Sequence, residues 1–216
     1  MMNDGIRIKD KHSFRDFGLY LKSRNVTLPE KKSIRETVPY FNGYYDFSAL
    51  NGAPAWDART VSYSFDVVGD NPVDLENQTV RILDWLCNVH DEPIFDDAMP
   101  LHYWKGSYDG CTLSWDESGD QVEIAVTFIC HPFRIAREIT EYKLEPGKEY
   151  IINNLGMAVT PTVTSTKGAA IQIGSYVNSI PAGEPYKLKI NLERGENTVM
   201  VTGESSVMLG FFEELI

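Results

Sequence analysis

The sequence predicts a mainly β protein built from two consecutive β-sandwich domains, with one α-helix in the first domain. Three observations lead to this fold class. Apolar and polar residues alternate over several short segments, as in strands with one buried face. Only one segment, residues 72–86, places its apolar residues at helical spacing. After residue 134, charged residues, proline and glycine interrupt the apolar runs, which indicates a domain boundary.

The strands of the first domain, residues 1–134, are predicted from alternation. FGLYL (17–21) and TVSYSFDV (60–67) each place large apolar residues on one face. DQVEIAVTFIC (120–130) alternates in the same way and follows GCTLSW (110–115). The stretch between them, DESGD (116–120), has the polar, glycine-containing composition of a turn, so these two segments are predicted to form a β-hairpin.

The helix of the first domain has a recognisable start. Asn71 is suited to the N-cap, Pro72 to the first helical position and Asp74 to the first turn. The apolar residues that follow form a single stripe suited to packing on a sheet, with Thr79 filling its gap. That stripe comprises Leu75, Ile82, Leu83 and Leu86.

The second domain, residues 135–216, is predicted to be a small all-β sandwich. Its strand-like runs are short and are separated by glycine, proline, serine and threonine. Residues 186–192 show the pattern of a sandwich strand with one solvated face. The predicted strands are 149–154, 169–174, 186–192, 197–203 and 206–215.

Composition narrows the function. A net charge of −11 is the reverse of the basic surface that nucleic-acid binding requires, so tight or sequence-specific binding of DNA or RNA is not expected. The apolar runs are far shorter than the roughly 20 residues that span a bilayer, which predicts a soluble protein without a membrane segment. The N-terminal residues lack a signal-like apolar run, and the three cysteines form no CxxC pair, as expected of synthesis in a reducing cytoplasm.

Sequence motifs for catalysis are missing. The chain has no nucleophile elbow, zinc-protease helix, phosphate-binding loop or dinucleotide fingerprint, so no catalytic residue and no cofactor are predicted. HDEPIFDD (90–97) could hold a hard cation on Asp91, Glu92, Asp96 and Asp97. It lacks the regular oxygen spacing of a calcium loop, and a solvated acidic loop is the preferred interpretation, so no metal site is predicted.

Some of the aromatic residues could form a sugar-stacking platform. Trp85 and Trp115 belong to the predicted helix and a strand end, where core roles are expected, whereas Trp56 and Trp104 remain open. In the aromatic stretch 38–65, alternation places Tyr63 and Phe65 in the core, and Asn42-Gly43 gives a turn signal between strand-forming aromatics. Most aromatic residues of this stretch are therefore expected in the core. Tyr40, Tyr44 and Trp56 remain for a surface role.

Several motifs, in one order, resemble the distal tail protein (Dit) family of long-tailed phages and prophages that infect Gram-positive bacteria. The order is VPYFNGYYDFS (38–48), DAR with the alternating strand after it (57–67), the helix end WL (85–86), EPIFDDAMPLHYWKGSYDG (92–110) and F-x-C-x-P-F (128–133). The second half is also similar to the galectin-like C-terminal sandwich of that family, in residues 151–164 and 192–203.

The resemblance implies a virion tail protein that is made and assembled in the cytoplasm of the bacterial host. It implies a first domain with a hairpin arm, assembled head-to-tail into a hexameric ring. The ring would join the tail tube to the tail-tip and baseplate proteins and leave a channel for the genome. Carboxylates that lined such a channel would repel DNA phosphates, the reverse of the attraction that basic grooves exert.

The polar segment 23–37, between two strand-like segments, is the predicted arm that would lie on a neighbouring subunit. Such a contact joins two different surfaces of identical subunits. It closes into a ring when the rotation that relates neighbouring subunits returns to the first subunit. The predicted subunit-interface residues are Val26, Leu28, Ile34, Tyr40, Tyr44 and Trp56.

Two other classes of function are alternatives to this one. A carbohydrate-binding module that attaches to host cell-wall polysaccharide is the alternative, because sandwich domains often present aromatic platforms. The second domain has no tryptophan, which argues against a dedicated sugar site there. An enzyme ranks third, because a fold does not by itself exclude a reaction and no residues suggest one.

Overall fold

The computed structural model describes residues 4–40, 42–48 and 54–216. The described residues form nineteen strands and two helices, and the mainly β fold predicted from the alternation is confirmed. They divide into two compact units, Met1–Phe133 and Arg134–Ile216.

The N-terminal unit is one antiparallel sheet that curls around a core. Its elements are β1 (Ile6–Ile8), β2 (Lys11–His12), α1 (Ser13–Phe17), β3 (Tyr20–Val26), β4 (Arg35–Glu36), β5 (Tyr45–Asp46), β6 (Arg59–Val68), α2 (Pro72–Cys87), β7 (Glu92–Asp96), β8 (His102–Trp115) and β9 (Gln121–Cys130). The strand order is β2-β1-β7-β8-β9-β6-β3, and β4 pairs with β5 apart from this sheet.

The predicted hairpin is confirmed as β8 and β9, whose register runs from Gly106↔Cys130 to Trp115↔Val122. β6 pairs with the other side of β9. The alternate apolar residues of β6 and β9 are buried together in one core, as their spacing predicted. This core contains Val61, Tyr63, Phe65, Val67, Val122, Ile124, Val126 and Phe128.

Helix α2 covers the core face of the sheet. The side chain of Asn71 accepts hydrogen bonds from the amides of Val73 and Asp74 at 3.1 and 3.0 Å, so it is the N-cap. The buried stripe is Leu75, Thr79, Ile82 and Leu86.

The strand predicted at 17–21 begins only at Tyr20, the first residue of β3, because a second helix ends at Phe17. The imidazole Nδ1 of His12 accepts hydrogen bonds from the amides of Phe14 and Arg15 at 3.1 and 3.3 Å, which caps α1. Gly18 ends the helix in the left-handed region at φ 67°, where glycine is unstrained. The sequence predicted a single helix, α2, and missed the short helix α1.

An ion pair joins the end strand β3 of the curled sheet to the interior strand β7. Arg24 of β3 places its Nε 3.0 Å from both carboxylate oxygens of Asp96 in β7, and its Nη2 lies 3.5 Å from Asp4. The carboxylate of Asp96 is only 4% exposed. Burial, and then the nearby Asp96, raise the pKa of Tyr63 above its ordinary value. The sheet thus encloses its core as two facing layers, closed by Arg24.

The acidic segment 90–97 is not the solvated loop that was predicted. Most of it is β7, and each of its four carboxylates has a side-chain partner elsewhere in the unit: a lysine, an arginine or a histidine. Asp91 pairs with Lys105, Glu92 with Lys9, Asp96 with Arg24 and Asp97 with the imidazole of His12. These pairings, which span up to 85 residues of sequence, explain why a strongly acidic segment occupies a central strand.

The C-terminal unit is a β-sandwich. Its strands are β10 (Arg134–Ala136), β11 (Thr140–Leu144), β12 (Glu149–Asn154), β13 (Thr162–Ser165), β14 (Ala169–Ile173), β15 (Tyr176–Ile180), β16 (Tyr186–Lys187), β17 (Gly195–Gly203), β18 (Val207–Phe211) and β19 (Glu214–Leu215). One sheet has the order β11-β18-β13-β16 and the other β12-β17-β14-β15, while β10 pairs with β19. Residues of both four-stranded sheets share one buried core. Of the predicted strand 186–192, only β16 is a strand.

Candidate subunit interface

Residues 27–58 form a two-stranded arm, described at 27–40, 42–48 and 54–58. Backbone hydrogen bonds join its two sides from base to tip. Asp57 donates to Glu30 at 2.8 Å, Lys32 to Ala55 at 2.9 Å and Phe47 to Ile34 at 2.8 Å. Strands β4 and β5 pair beyond these bonds and flank the predicted turn at Asn42-Gly43. The arm is therefore longer than the predicted segment 23–37, because the chain 44–58 supplies its returning side.

Polar contacts stiffen the arm near its tip. The amide of Ser48 donates to Asp46 at 2.9 Å, and the hydroxyl of Ser48 accepts from the amide of Ile34 at 2.9 Å. The guanidinium of Arg35 lies 3.4 Å from Asp46 and 4.7 Å from the ring centre of Tyr44. Ser48, and to a smaller extent Arg35, hold the pKa of Asp46 below its ordinary value.

The predicted interface residues lie along this arm and the strand that leads into it. Val26 ends β3 and is 40% exposed, while Leu28 and Ile34 on the outgoing side are 74% and 53% exposed. Tyr40 is fully exposed near the tip and has φ 66°, an unfavourable value for a tyrosine. Tyr44 on the returning side is half exposed.

Trp56 has a different position from the other predicted interface residues. It lies at the base of the arm, where its backbone bridges to Lys31. Its half-buried ring packs edge-on against Phe133, with the ring centres 5.8 Å apart. The ammonium of Lys31 lies 5.4 Å from the indole centre. Trp56 therefore joins the base of the arm to the rest of the N-terminal unit.

Most aromatic residues of 38–65 are not in the core, contrary to the expectation. Tyr63 and Phe65 are buried in the core, whereas Tyr45 and Phe47 are exposed together with Tyr40 and Tyr44. Phe41 and residues 49–53 lie outside the described residues. A two-stranded ribbon has no second layer to cover its side chains, so strand-forming aromatics in it stay exposed. The Asn42-Gly43 turn signal indicated such a ribbon, but not that it would project from the domain.

Two edges of the N-terminal sheet have a free side within this unit. Among its described residues, β3 pairs with β6 alone, and β8 beyond Tyr108 pairs with β9 alone. This outer part of β8, which pairs on one side with β9, ends in exposed Leu113 and Trp115. The predicted core role of Trp115 was therefore wrong, because β8 extends past the strands that could cover it.

The sheet face opposite α2 carries small hydroxyl side chains. Ser62 and Ser64 of β6 point away from the core, and their hydroxyls lie 3.2 Å from Thr127 and 2.6 Å from Glu123. Lys22 lies 2.7 Å from Glu123 and 3.3 Å from Asp66. The ammonium of Lys22 thus partly offsets the two carboxylates on this polar face.

Other sites considered from the sequence have little support in the structure. Trp104 is 4% exposed and belongs to the core, which removes it as a sugar platform. Within residues 4–40, 42–48 and 54–216, no three metal-binding side chains of histidine, cysteine, aspartate or glutamate come together. In the same residues, neither helix has the length and apolar character needed to cross a bilayer.

Comparison with known proteins identifies the fold. No family model and no curated protein sequence matches this chain. A solved structure does: the crystal structure of the Dit protein of SPP1, described as a paradigm of the hub adsorption apparatus in phages that infect Gram-positive bacteria. The two align with a TM-score of 0.76 over 99% of each chain. The chain has the distal tail protein fold.

The likeness extends over both units, whereas sequence identity is only 15%. The resemblance seen in the motifs of the first 133 residues is therefore confirmed for the fold of the whole chain. At this identity the side chains of an interface differ between the two proteins at most positions. The surface of the arm, the free sheet edges and the hydroxyl face must be interpreted from the residues of this chain.

Proposed function

We propose that this protein is a structural component of a phage tail that assembles head-to-tail into a hexameric ring. The ring joins the tail tube to the tail-tip and baseplate proteins and leaves a channel for the genome. The C-terminal unit of each subunit is a galectin-like sandwich. The distal tail protein fold over 99% of the chain supports this role, because the SPP1 protein of that fold is described as a hub of the adsorption apparatus.

The observation on which the proposal mainly rests is the arm. Its apolar side chains, including Leu28, Ile34, Tyr40 and Tyr44, are exposed, and none belongs to either core. An isolated two-stranded ribbon is marginally stable in water, and exposed aromatics add to the cost of leaving it unpaired. A neighbouring copy that covers the arm would remove both costs.

The free sheet edges supply a second contact of the same head-to-tail kind. The edge of β3 in one copy would pair with the outer part of β8 in the next, which continues the sheet from copy to copy. Two different edges make this contact heterologous, and a heterologous contact that closes gives a ring. In this arrangement α2 covers the outer side of the sheet, and the hydroxyl face turns toward the channel.

The hydroxyl face suits a channel for DNA. Its serine and threonine side chains are small, and its carboxylates of Asp66 and Glu123 are partly offset by Lys22. DNA binds proteins largely because lysine and arginine side chains displace counterions from its phosphates. A surface with little positive charge makes few such contacts, so passing DNA would not adhere to it. This proposal places two of the carboxylates expected in the channel, Asp66 and Glu123, and gives their surroundings a slight negative charge.

The ring proposal is tested by shortening the arm. In one variant, residues 28–56 are replaced by a short Gly-Asn-Gly linker, and in a second Leu28→Asp and Ile34→Asp leave the arm in place. Both are expected to shift the protein from a ring of six 24.4 kDa chains to a folded monomer. Light scattering after size-exclusion chromatography gives the mass, and negative-stain imaging shows the ring.

A matched control is Val73→Asp, which places a carboxylate on an equally exposed apolar residue of α2. It should leave the ring intact. A ring that persists in both arm variants would refute the assignment of the arm. A wild-type protein that stays monomeric at high concentration, alone and with the adjoining tail proteins, would refute ring assembly itself.

The carbohydrate-binding alternative has less support. Trp104 is buried and Trp56 is half covered at the base of the arm. The C-terminal unit has no tryptophan to stack on a sugar ring. We propose neither a catalytic step nor a cofactor.

A further inference from the structure

A cleft of about 390 Å³ opens on the C-terminal unit, where the turn between β14 and β15 meets the segment before β17. Its volume is within the usual range of ligand-binding pockets. Ile173 and Asn197 line it and are 5% and 7% exposed, and the partly buried Ile190 adds apolar surface. Exposed side chains of Tyr176, Glu193 and Glu196 also line the cleft.

Both carboxylates of the cleft lack an ion-pair partner among the described residues. The loop that bears Glu193 is nevertheless well held by the side chain of Asn197. Its Oδ1 accepts from the amide of Glu193 at 2.8 Å, and its Nδ2 donates to the carbonyls of Glu193 and Gly195 at 2.8 and 3.0 Å. Glu193 on this loop and Glu196 at the start of β17 are thus held beside a partly apolar cleft, an arrangement that favours a cationic group with an aliphatic stem.

The strand beside the cleft, β15, is an end strand of its sheet, and its Asn178 side chain accepts a hydrogen bond from the amide of Lys189 at 3.4 Å. In the described structure β15 pairs with β14 alone, and its sequence YVNSI contains no charge, proline or bulge. Tyr176 and Val177 are 67% and 65% exposed. Edge strands usually carry such features because an unpaired edge otherwise recruits another strand. The opposite end strand, β12, begins with the charged Glu149, whereas β15 has a proline, Pro181, only after its last residue.

We infer that β15 and the adjoining cleft bind an extended, basic peptide segment of a partner protein. The segment adds to the sheet as a strand beside β15, and one lysine or arginine side chain enters the cleft near Glu193 and Glu196. A sugar fits less well, because Tyr176 is the one aromatic side chain that lines the cleft. This surface lies on the C-terminal unit and does not depend on ring formation by the arm.

The test uses the full-length protein and two fluorescent eight-residue peptides, one alternating threonine with lysine and the other threonine with glutamate. Fluorescence anisotropy at low ionic strength should show binding of the lysine peptide only. The double variant Glu193→Gln with Glu196→Gln should weaken that binding by about fivefold, as expected for two exposed charge contacts. Its control, Glu76→Gln with Glu117→Gln, removes the same charge from exposed positions of the N-terminal unit and should leave binding unchanged.

The edge is tested separately by Val177→Lys, which should also weaken binding of the lysine peptide. Ile151→Lys on β12 adds the same charge at a similarly exposed residue of the opposite end strand and should have no effect. Equal losses in variants and controls would mean attraction to net charge alone and would overturn the inference. Absence of peptide binding would overturn it too, as would binding of neutral cell-wall oligosaccharides in place of the peptide.

Discussion

Replacement of Arg24 tests how the curled sheet of the N-terminal unit is held closed. In Arg24→Met the aliphatic stem remains, while Asp96 loses the guanidinium that lies 3.0 Å from both of its oxygens. The carboxylate is 4% exposed, so water replaces the lost partner poorly. The amide of Ala98, which donates to Asp96 at 2.9 Å, remains as partial compensation.

The expected loss in the free energy of unfolding is about 2 kcal/mol. Removing one partner of a fully buried ion pair costs roughly 3 to 5 kcal/mol. Arg24 is itself 29% exposed, and solvent screening of that side reduces the figure. Adding Asp96→Asn to Arg24→Met removes the uncompensated charge, so the double variant should recover about half of the loss or more.

Urea unfolding followed by tryptophan fluorescence measures this effect in the right part of the chain, because all four tryptophans belong to the N-terminal unit. Lys32→Met breaks the exposed ion pair of Lys32 with Asp57 and serves as the control, with an expected change of about 0.5 kcal/mol or less. A loss for Arg24→Met no larger than the control, or no recovery in the double variant, would refute the closure by Arg24.

Three further predictions concern packing, pH and thiol chemistry in the same unit. Gly106→Ala should destabilise the protein by about 2 kcal/mol, because its Cβ would lie 2.5 Å from the sulfur of Cys130, whereas Gly110→Ala on the same strand has free space and should be neutral in the same urea titration. Lys22 and Ser64 lower the pKa of Glu123, so this carboxylate stabilises the fold above its unfolded pKa and ceases to do so as pH falls through the folded value. Glu123→Gln should therefore flatten the loss of stability on acidification, and an unchanged profile would contradict this. Burial raises the pKa of Cys130 to about 12, so a thiol-disulfide reagent near neutral pH should modify it only on unfolding, as peptide mass spectrometry would show.

Local patterns predicted most of the regular elements. The alternation in 60–67 and 120–130 depends only on which side of a strand faces a core, and both segments are strands with that face buried. The start of α2 was predictable because the N-cap of Asn71 involves the next three residues only. The prediction for 17–21 was partly wrong, because a histidine is an unusual N-cap, and its five-residue helix is too short to show a periodic pattern.

The candidate interface was predictable in part. The six predicted residues lie on or beside the arm, but the pattern of strand-forming aromatics gave no indication that Tyr45 and Phe47 would be exposed with them. A hydrophobic pattern shows which side chains favour burial, not whether the domain or another molecule covers them. The free sheet edges and the cleft of the C-terminal unit likewise could not be predicted from local sequence patterns, because each depends on segments that are distant in sequence.

The sequence by itself determined the mainly β fold, the position of α2, the β8–β9 hairpin and the resemblance to distal tail proteins. These follow from interactions among neighbouring residues and from the order of motifs. Only the tertiary structure decided that Arg24 and Asp96, separated by 72 positions, close the sheet, and that the arm projects without a core of its own. The physical reason is that burial and charge pairing depend on which distant segments come into contact, and a local pattern does not specify that partner.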